Sequence, residues 1–531
     1  MEQQHTAHDL YAALWAAADE MRQVMTADVY KDYLLGLVFY KALSDKMLFE
    51  AYDLLMDEKP ANLEIAQKAY EESLNDDSWN DLSSELEARF GCVIHPTYTF
   101  SSFYNQINNR TFMLSDLRQA FRDIETASGG AYEGLFEDFD VDSKDLGKTP
   151  DKRNDMLSSV IKALAHIDFN DYPEDALGDA YEYLISQFAA ESGKKAGEFY
   201  TPQAVSKLIA RIVTEGQNKK YGFSVYDPAM GSGSLLLQIR NFIQNDESGI
   251  DNKDAVHFFG QEIKNQTYNL ARMNMMLHRV KGTQQHLRNG DTLDADWPTD
   301  EPTNFDAVVM NPPYSQKYKA APGLLSDPRF ASYKKIPPAS KADFAFLLHG
   351  FYHLKDTGTM GIVLPHGVLF RGAAEGTIRE TLLRNGNIYA VIGLPAGIFF
   401  STGIPTCVII LKKNNINRDV LFIDASRDFY KDRAKNTLLD EHVEKIVQTY
   451  LARKDIEKYA HLASFEEIEQ NGFNLNIPRY VDTFEPEEEI DLNAVSAEIR
   501  KLQREIKDID AELKPYFDEL GLDFPFDVEG K

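Results

Sequence analysis

The sequence predicts an α/β protein, with a doubly wound sheet between a helical N-terminal domain and a coiled-coil-like helical tail. Amphipathic helical runs occupy residues 1–170, strand-like runs alternate with helical runs over 171–482, and a three-four apolar repeat follows within 483–531. Alternating strands and helices are typical of a mostly parallel sheet covered on both faces. A chain of 531 residues has room for three such parts at roughly 150 residues each.

The N-terminal domain is predicted to be helical because its apolar residues recur at helical spacing. Shorter amphipathic runs lie at 117–124 and 156–167, and the broadest apolar face consists of Leu34, Leu35, Leu37, Val38, Phe39, Leu43, Met47 and Leu48. No arrangement of catalytic residue types is visible here. Helix packing is therefore the leading interpretation of this region.

Apolar runs predict the strands of the sheet at 223–226, 256–260, 306–310, 360–364, 389–393, 406–411 and 420–424. Positions 390–411 contain no charged residue and pass a crude filter for a transmembrane segment. They are interrupted by Gly393, Pro395, Gly397, Gly403 and Pro405. Two buried strands joined by a loop are therefore favoured.

A glycine-containing loop follows the first predicted strand. Asp227-Pro228 ends the strand, and Gly231 and Gly233 allow the backbone to pass close to a ligand before a helix begins. A dinucleotide site would need a third glycine near position 236, where Leu236 stands. The loop is thus of nucleotide-binding type but does not match the NAD fingerprint.

Two acidic residues come further along the chain, behind the glycine loop. Glu262 comes after 256–260, where its carboxylate can accept both hydroxyls of a ribose, and Asp291 follows Asn289-Gly290. Each acid alone reads as a solvated loop residue. Their order behind the glycine loop favours ligand binding, with Asp291 available to an adenine amino group.

The most informative motif is Asn311-Pro312-Pro313-Tyr314, directly after the strand 306–310. An amino group conjugated to a ring is a poor nucleophile, because its lone pair is delocalised. The Asn311 side-chain oxygen and the Pro312 carbonyl can accept both N–H bonds of such an amine, and Tyr314 offers a stacking face. A proline turn that merely ends a strand is the alternative, and the glycine loop makes it less favoured. The pair of motifs points to methylation of a conjugated nitrogen.

These motifs resemble those of amino-group DNA methyltransferases that use S-adenosylmethionine. The resemblance implies a class I methyltransferase (Rossmann-like) sheet and a catalytic turn formed by Asn311, Pro312, Pro313 and Tyr314. It also implies a cofactor site that consists of Glu198, Phe199, Tyr200, Thr201, Pro202, Gln203, Asp227, Ala229, Met230, Gly231, Ser232, Gly233, Ser234, Glu262 and Asp291. No metal is implied.

Three further segments make the resemblance narrower. Residues 176–184 (ALGDAYEYL), 197–202 (GEFYTP) and 476–480 (NIPRY) together resemble the modification (M) subunit of type I restriction-modification systems. That resemblance covers about residues 8 to 515. It implies adenine N6 methylation in double-stranded DNA, and as partners a specificity subunit, a second copy of this chain and a restriction (endonuclease/translocase) subunit.

The loop 315–342, which begins at the catalytic turn, is rich in basic residues. It carries Arg329 and one acid, Asp327, and its candidate DNA contacts are Lys317, Lys319, Lys334, Lys335 and Lys341. A solvated charged loop is the alternative. Phe399 and Phe400 lie in a later loop, and the resemblance implies that an aromatic there stacks on the extruded base opposite Tyr314. A phenylalanine packed into the core is equally compatible, and the sequence does not choose between the two residues.

The overall charge is unusual for an enzyme that acts on DNA. The chain has 56 basic and 84 acidic residues, a net charge of −28, whereas DNA binding draws on basic surfaces. A DNA substrate therefore requires locally concentrated basic residues, a partner that supplies most of the DNA contacts, or both.

The chain has two cysteines, Cys92 and Cys407, and Met1 to His5 shows no export signal, so a cytoplasmic location without membrane association is expected.

The tail contains an apolar seam, formed by Leu492, Val495, Ile499, Leu502, Ile506, Ile509 and Leu513, and followed by Pro515. Alternating spacings of three and four are typical of a coiled-coil a/d seam, and proline is expected to end the helix. A helix hairpin within the chain would satisfy the seam. The family resemblance favours docking onto another subunit.

Two other functions fit parts of the sequence. One is a protein-glutamine or RNA methyltransferase, which uses a similar turn because the glutamine amide nitrogen is also delocalised. Such enzymes are much shorter than this chain. A non-catalytic interaction subunit that retains the methyltransferase fold is the other. Intact Gly231, Gly233, Asn311 and Tyr314 argue against it.

Overall fold

The computed structural model describes residues 7–23, 25–75, 78–127, 130–173, 176–191, 200–244, 252–294, 304–399, 403–431, 436–483 and 491–526. Three residues of the expected site, Glu198, Phe199 and Phe400, lie outside the described residues. The Cα positions divide the chain into two compact units, Met1–Asp482 and Thr483–Lys531.

The first part of the larger unit is helical, as the apolar spacing predicts. Its helices are α1 (Ala7–Ala17), α2 (Asp19–Arg22), α3 (Ala27–Met56), α4 (Leu63–Glu72), α5 (Ser78–Phe90), α6 (Phe100–Asn108), α7 (Leu114–Ala127), α8 (Pro150–Ala165) and α9 (Ala176–Glu191). The broad apolar face lies on α3, where Leu34, Leu37 and Val38 are fully buried. These helices share one hydrophobic core, which extends to Phe188 of α9 and includes Met273.

The rest of the larger unit contains the predicted doubly wound sheet. Its strands are β1 (Ser224–Asp227), β2 (His257–Glu262), β3 (Gln285–Asn289), β4 (Phe305–Met310), β5 (Leu354–Pro365), β6 (Ile388–Gly393), β7 (Thr406–Lys412), β8 (Val420–Asp424) and β11 (Ala460–Ala463), and β9 (Tyr430–Lys431) and β10 (Asn436–Thr437) form a small separate sheet. The accompanying helices are α10 (Gln203–Thr214), α11 (Ser234–Arg240), α12 (Asn265–Leu277), α13 (Asp343–Tyr352), α14 (Ala373–Arg384), α15 (Asp440–Ala452) and α16 (Phe465–Gln470).

The strand order is β11-β8-β6-β7-β5-β4-β1-β2-β3. β1, β2, β3, β4 and β5 are parallel, whereas β7 is antiparallel to both its neighbours and β11 is antiparallel to β8. The chain runs from β1 outward to β3 and then returns to the other side of β1 as β4. Ligands of open α/β sheets bind outside the carboxyl ends of the strands at such a switch point.

All seven predicted strands are present. The uncharged stretch 390–411 forms most of β6 and β7, with a loop between them, so the two-strand interpretation is confirmed. Among the described residues, no helix combines the length and apolar character needed to cross a membrane.

The smaller unit contains helix α17 (Leu492–Leu520), on which no residue is buried. Asp491 caps its first turn by accepting the N–H groups of Asn493 and Ala494. The expectation that Pro515 ends the helix is wrong, because the helix continues through it to Gly521, which has a φ of 65°. Proline costs one backbone hydrogen bond and crowds the preceding turn, and on a helix without buried residues water can take up the carbonyl that is left.

Candidate active site

A cavity of about 500 Å³ opens where the carboxyl ends of β1, β2 and β4 meet the segment after β3. This volume is in the range of small-molecule sites. Of the residues expected in the site, those that line the cavity are Tyr200, Thr201, Asp227, Ala229, Met230, Gly231, Ser232, Ser234, Glu262, Asp291, Asn311, Pro313, Lys317 and Lys319. The fold thus brings the glycine loop, both acids and the Asn-Pro-Pro-Tyr turn to one space.

The glycine loop connects β1 to α11 along one wall of the cavity. Gly231 and Gly233 have φ angles of 54° and 79°, in the left-handed region that favours glycine. A Cβ on Gly231 would meet nothing within 4 Å, whereas one on Gly233 would lie 3.2 Å from Met275 Cε of α12. Gly231 lines the cavity, and Gly233 instead allows the loop to pack on α12.

Asp227 is buried at the start of this loop. Its Oδ1 accepts the Ala229 N–H at 2.9 Å. Burial raises the pKa of Asp227 to about 8; the Ala229 hydrogen bond opposes the rise and nearby Glu262 adds to it. The site thus disfavours the anionic carboxylate, and a bound cation would reverse that preference.

A second carboxyl group with a raised pKa lies behind the loop. Burial raises the pKa of Glu182 on α9 to about 7, and the nearby Ser234 hydroxyl opposes the rise. Glu182 Oε1 is buried and has no hydrogen-bond partner among the described residues. The segment 176–184 therefore places an acid directly behind the start of α11.

The two loop acids sit at adjacent strand ends. Glu262 is the last residue of β2, and its Oε1 accepts the Lys264 N–H at 2.9 Å. The Glu262 carbonyl accepts the Gly290 N–H at 3.0 Å, which joins this strand end to the segment that carries Asp291. Asp291 is exposed, and its Oδ1 accepts the Leu293 N–H at 3.0 Å. Glu262 thus has the strand-end placement that the sequence predicts, and Asp291 follows β3, a strand that the sequence does not predict.

In the Asn-Pro-Pro-Tyr turn, neighbouring side chains fix the orientation of the Asn311 amide. Asn311 Nδ2 donates to Thr201 Oγ1 at 3.0 Å, and the Tyr314 hydroxyl donates to Asn311 Oδ1 at 2.8 Å. Since a carboxamide oxygen has two lone pairs, Oδ1 retains capacity for another donor. Burial raises the pKa of Tyr314 well above its usual value, so its hydroxyl stays protonated.

The residue after the turn has strained backbone, and a buried acid holds it. Ser315 has a φ of 53°, and its N–H donates to Asp343 Oδ1 at 2.7 Å. Asp343 is fully buried, and its other oxygen accepts from Arg371 Nη1 at 2.7 Å. Asp343 and Arg371 could not be identified as site residues from the sequence, because nothing in their local pattern indicates a contact with the turn.

Of the two aromatic candidates, only Phe399 is among the described residues. Phe399 is 3% exposed, and its ring centroid lies 6.3 Å from that of Tyr314, at an interplanar angle of 83°. Its ring packs edge-on in the core of the sheet domain. This arrangement joins the two loops that the resemblance assigns to opposite sides of a base.

The basic loop 315–342 contains two kinds of cation. Lys317, Lys319, Lys334 and Lys335 are exposed, and Lys341 is half-buried. Arg329, counted among the basic residues of the loop, is instead 2% exposed and paired with Asp327. Its guanidinium is directed into the protein and is not available to a phosphate.

The helical N-terminal part also lines the cavity, which the sequence did not indicate. It contributes Lys31 and Leu35 from α3 and Ile185, Phe188 and Ala189 from α9. Packing is thus not the whole role of this part. The only available signal was the motif at 176–184, which continues into the segment of α9 that reaches the cavity.

Comparisons with known proteins agree with this geometry. A family model described as N-6 DNA Methylase matches residues 172–489, and one described as the HsdM N-terminal domain matches residues 10–164. The type I restriction enzyme MpnII methylase subunit of Mycoplasma pneumoniae is 33% identical over 96% of both chains. The MjaVIII methylase subunit of Methanocaldococcus jannaschii is 30% identical over 93% of this chain and 82% of that protein.

A solved structure extends the comparison to three dimensions. The methyltransferase subunit of a type I restriction-modification system from Streptococcus thermophilus superposes with a TM-score of 0.86 at 55% identity, and the match covers 90% of this chain and 100% of that one. The chain therefore belongs to the N-6 DNA methylase family, among the methylase subunits of type I restriction-modification systems.

Proposed function

We propose that this chain transfers the methyl group of S-adenosylmethionine to adenine N6 in double-stranded DNA, as the modification subunit of a type I restriction-modification complex. The observation that carries the proposal is the oriented Asn311 amide, beside the cavity formed by the glycine loop, Glu262 and Asp291. Family membership supports the same reaction.

The turn makes the amine of adenine a better nucleophile. Asn311 Oδ1 and the Pro312 carbonyl each accept one N–H bond of N6, which localises the lone pair on nitrogen. S-adenosylmethionine supplies a methyl carbon whose bond to the sulfonium sulfur breaks, with its electrons going to sulfur, as N6 attacks in line. N6 becomes acidic as the new N–C bond forms, so its proton can pass to water and the turn needs no general base.

The base must leave the duplex first, because N6 and the methyl group cannot align within a stacked helix. The Tyr314 ring is the stacking face that we assign to the extruded adenine. Phe399 and Phe400 are the candidates for the opposite face, and base stacking on an aromatic contributes about 1–3 kcal/mol. The edge-on contact of Phe399 with Tyr314 must open for a base to enter between them.

The cavity is suited to this cofactor. S-adenosylmethionine carries a sulfonium and an ammonium group, and buried Asp227 has its pKa raised to about 8, so a cation nearby would stabilise its anionic form. Glu262 and Asp291 supply acceptors for ribose hydroxyls and for the adenine amino group. Gly231 leaves room for the ligand against the loop.

Cofactor binding should release protons near neutral pH. Asp227 is protonated below pH 8 in the ligand-free site, and a bound cation favours its ionised form, so binding expels a proton there. Affinity should therefore rise with pH by up to about tenfold per unit, and level off above about pH 8. Calorimetry at pH 7 in buffers of different ionisation enthalpy measures the release.

The Asp227→Asn variant is the control, because the pKa of Glu182 is raised to about 7 and that group could titrate in the same range. The variant should lose most of the release. Proton uptake by the wild type, or release that persists in the variant, would contradict the assignment to Asp227.

Two substitutions should separate the folding of the glycine loop from ligand contact. Gly233→Val puts a β-branched side chain at a φ of 79° and against Met275, so it should lower both Tm and cofactor affinity. Glu262→Ala should lower affinity by about tenfold or more with a smaller loss of Tm than Gly233→Val, because it removes the ribose acceptors and one hydrogen bond from the Lys264 N–H but strains no backbone. Calorimetry and thermal unfolding test both, and unchanged affinity in folded Glu262→Ala would place the ribose elsewhere.

The strong negative charge makes other subunits necessary for a firm hold on DNA. We assign phosphate contacts to Lys317, Lys319, Lys334, Lys335 and Lys341, on a chain whose net charge is −28. Sequence selection then comes from a specificity subunit, in a cytoplasmic complex that includes a second copy of this chain and, for cleavage, a restriction subunit. The relatives named above are themselves subunits of type I enzymes.

The direct test supplies labelled S-adenosylmethionine to the chain with mixed DNA, RNA and protein acceptors, with and without its partner subunits. Label on adenine N6 of duplex DNA, increased by the specificity subunit, is the expected result. Label on protein glutamine or RNA would identify the alternative methyltransferase. Cofactor binding without transfer in the assembled complex would indicate an interaction subunit.

A further inference from the structure

Arg329 connects the basic loop to the segment after β3. Its guanidinium binds Asp327, with Nη2 at 2.6 Å from Oδ2. Nη1 also donates to the Thr292 carbonyl at 2.9 Å, and Nη2 to the Asp294 carbonyl at 3.2 Å. These carbonyls belong to the segment that follows Asp291. One buried side chain of the basic loop therefore holds the backbone beside the cofactor cavity.

A second contact of Arg329 begins a directed hydrogen-bond chain. Nη1 lies 3.1 Å from His349 Nδ1, and a guanidinium only donates, so Nδ1 must be the acceptor and Nε2 must carry the proton. Nε2 then donates to the Tyr226 hydroxyl at 2.9 Å, which donates to Gln261 Oε1 at 2.6 Å. Burial, with His353 and Arg329 nearby, lowers the pKa of His349 well below its usual value, which agrees with a neutral ring.

Both routes end at the glycine loop. The Gln261 carbonyl accepts the Met230 N–H at 3.0 Å. The Thr292 hydroxyl donates to the Pro228 carbonyl at 2.5 Å. Arg329 is therefore linked to the loop around Gly231 by two series of hydrogen bonds, in which Gln261 and Thr292 each bond through both side chain and backbone. Its own chain segment carries the exposed lysines on either side.

We propose that Arg329 is a positioning residue that couples DNA engagement by the basic loop to cofactor binding at the glycine loop. The inference rests on the proposed function. Because thermodynamic coupling is reciprocal, a cofactor analogue should tighten DNA binding by the same factor as DNA tightens binding of the analogue. The energy comes from ordering the shared network once for both ligands.

The test uses the assembled complex with its specificity subunit, S-adenosylhomocysteine as a non-reactive probe, and a duplex that contains the target site. The wild-type complex should bind the duplex about fivefold or more tighter with the probe present, within the usual range of coupling factors. Arg329→Gln should bring this factor close to one. Arg329→Lys should also bring the factor close to one. It retains the positive charge but loses the forked donors of the guanidinium, so this result would show that the coupling depends on the hydrogen bonds.

The matched control is Lys335→Gln, which removes a positive charge from the exposed part of the same loop. It should weaken DNA binding equally with and without the probe, so the factor should equal that of the wild type. If Arg329 variants fail to fold, Tyr226→Phe removes one hydroxyl of the second route and retains the ring. It should reduce the factor partially.

The outcomes distinguish this inference from the proposed function. A wild-type complex that binds neither probe nor duplex, or transfers no methyl group, contradicts the proposed function. A wild-type complex that methylates DNA with a factor of one overturns the coupling. If a folded Arg329→Gln complex binds both ligands more weakly but keeps the wild-type coupling factor, Arg329 has only a structural role.

Discussion

Replacement of Asn311 by alanine should lower the rate of methyl transfer by two orders of magnitude or more, with cofactor affinity close to that of the wild type. The variant lacks one of the two acceptors for the adenine amine. A preorganised polar contact of this kind contributes about 3 kcal/mol in the transition state. Single-turnover transfer of labelled methyl to a cognate duplex, with calorimetry for the cofactor, measures both quantities.

Substitutions at the two residues that hold the Asn311 side chain should lower the transfer rate by smaller amounts. Thr201→Val removes the hydroxyl that accepts from Asn311 Nδ2 but keeps the Asn311 oxygen, so it should lower the rate less than Asn311→Ala. Tyr314→Phe keeps the stacking ring and removes the hydroxyl that donates to Asn311 Oδ1. It should also be milder. Turnover close to wild type in Asn311→Ala would reject the mechanism.

Replacement of both Ile499 and Ile506 by aspartate should abolish assembly with the specificity subunit and, with it, methylation of a cognate site. These residues are 49% and 57% exposed on α17, in the middle of the apolar seam. In a coiled-coil interface each would bury a carboxylate, at a desolvation cost of several kcal/mol, which a modest helix contact cannot offset. Pull-down of the partner and methylation should fail together, while cofactor binding persists.

The matched control is Ala497→Asp with Ala511→Asp, on the side of the same helix away from the seam. It adds the same charge and replaces a better helix former, so it tests whether charge or lower helix propensity causes the loss. This variant should assemble. If the Ile499 and Ile506 variant also assembles normally, docking does not use the seam, and the helical first 170 residues become the next candidate surface.

By itself the chain should bind duplex DNA weakly and without sequence preference, because it has a net charge of −28 and no recognisable base-reading module. Addition of the specificity subunit should restore selective binding. Tight, selective binding by the isolated chain would contradict the division of roles that the charge implies.

Local chemistry made much of the fold readable. β1, β4 and β7 are almost entirely buried, so their apolar runs are distinctive, and glycine and proline punctuation separates β6 from β7. β3 and β11 are edge strands of only partial burial, and β3 is mostly polar. Their strand character comes from a neighbour's hydrogen bonds, which no local pattern records.

The Asn-Pro-Pro-Tyr turn, the glycine loop and Glu262 could be proposed from sequence because each follows a readable strand, and parallel strands bring their carboxyl ends to one edge. Asp291 could be proposed only from its order behind the glycine loop, because β3 shows no readable strand pattern. Contacts between distant segments were decided only by packing. Thr201 reaches Asn311 across 110 positions, and Arg329 reaches Thr292 and His349 on two other segments. Likewise, the side of the loop that Gly233 faces and the reach of α3 and α9 to the cavity depend on how helices pack. Periodicity reports which face of an element is buried, whereas the partner on that face is set by the free energy of the whole fold.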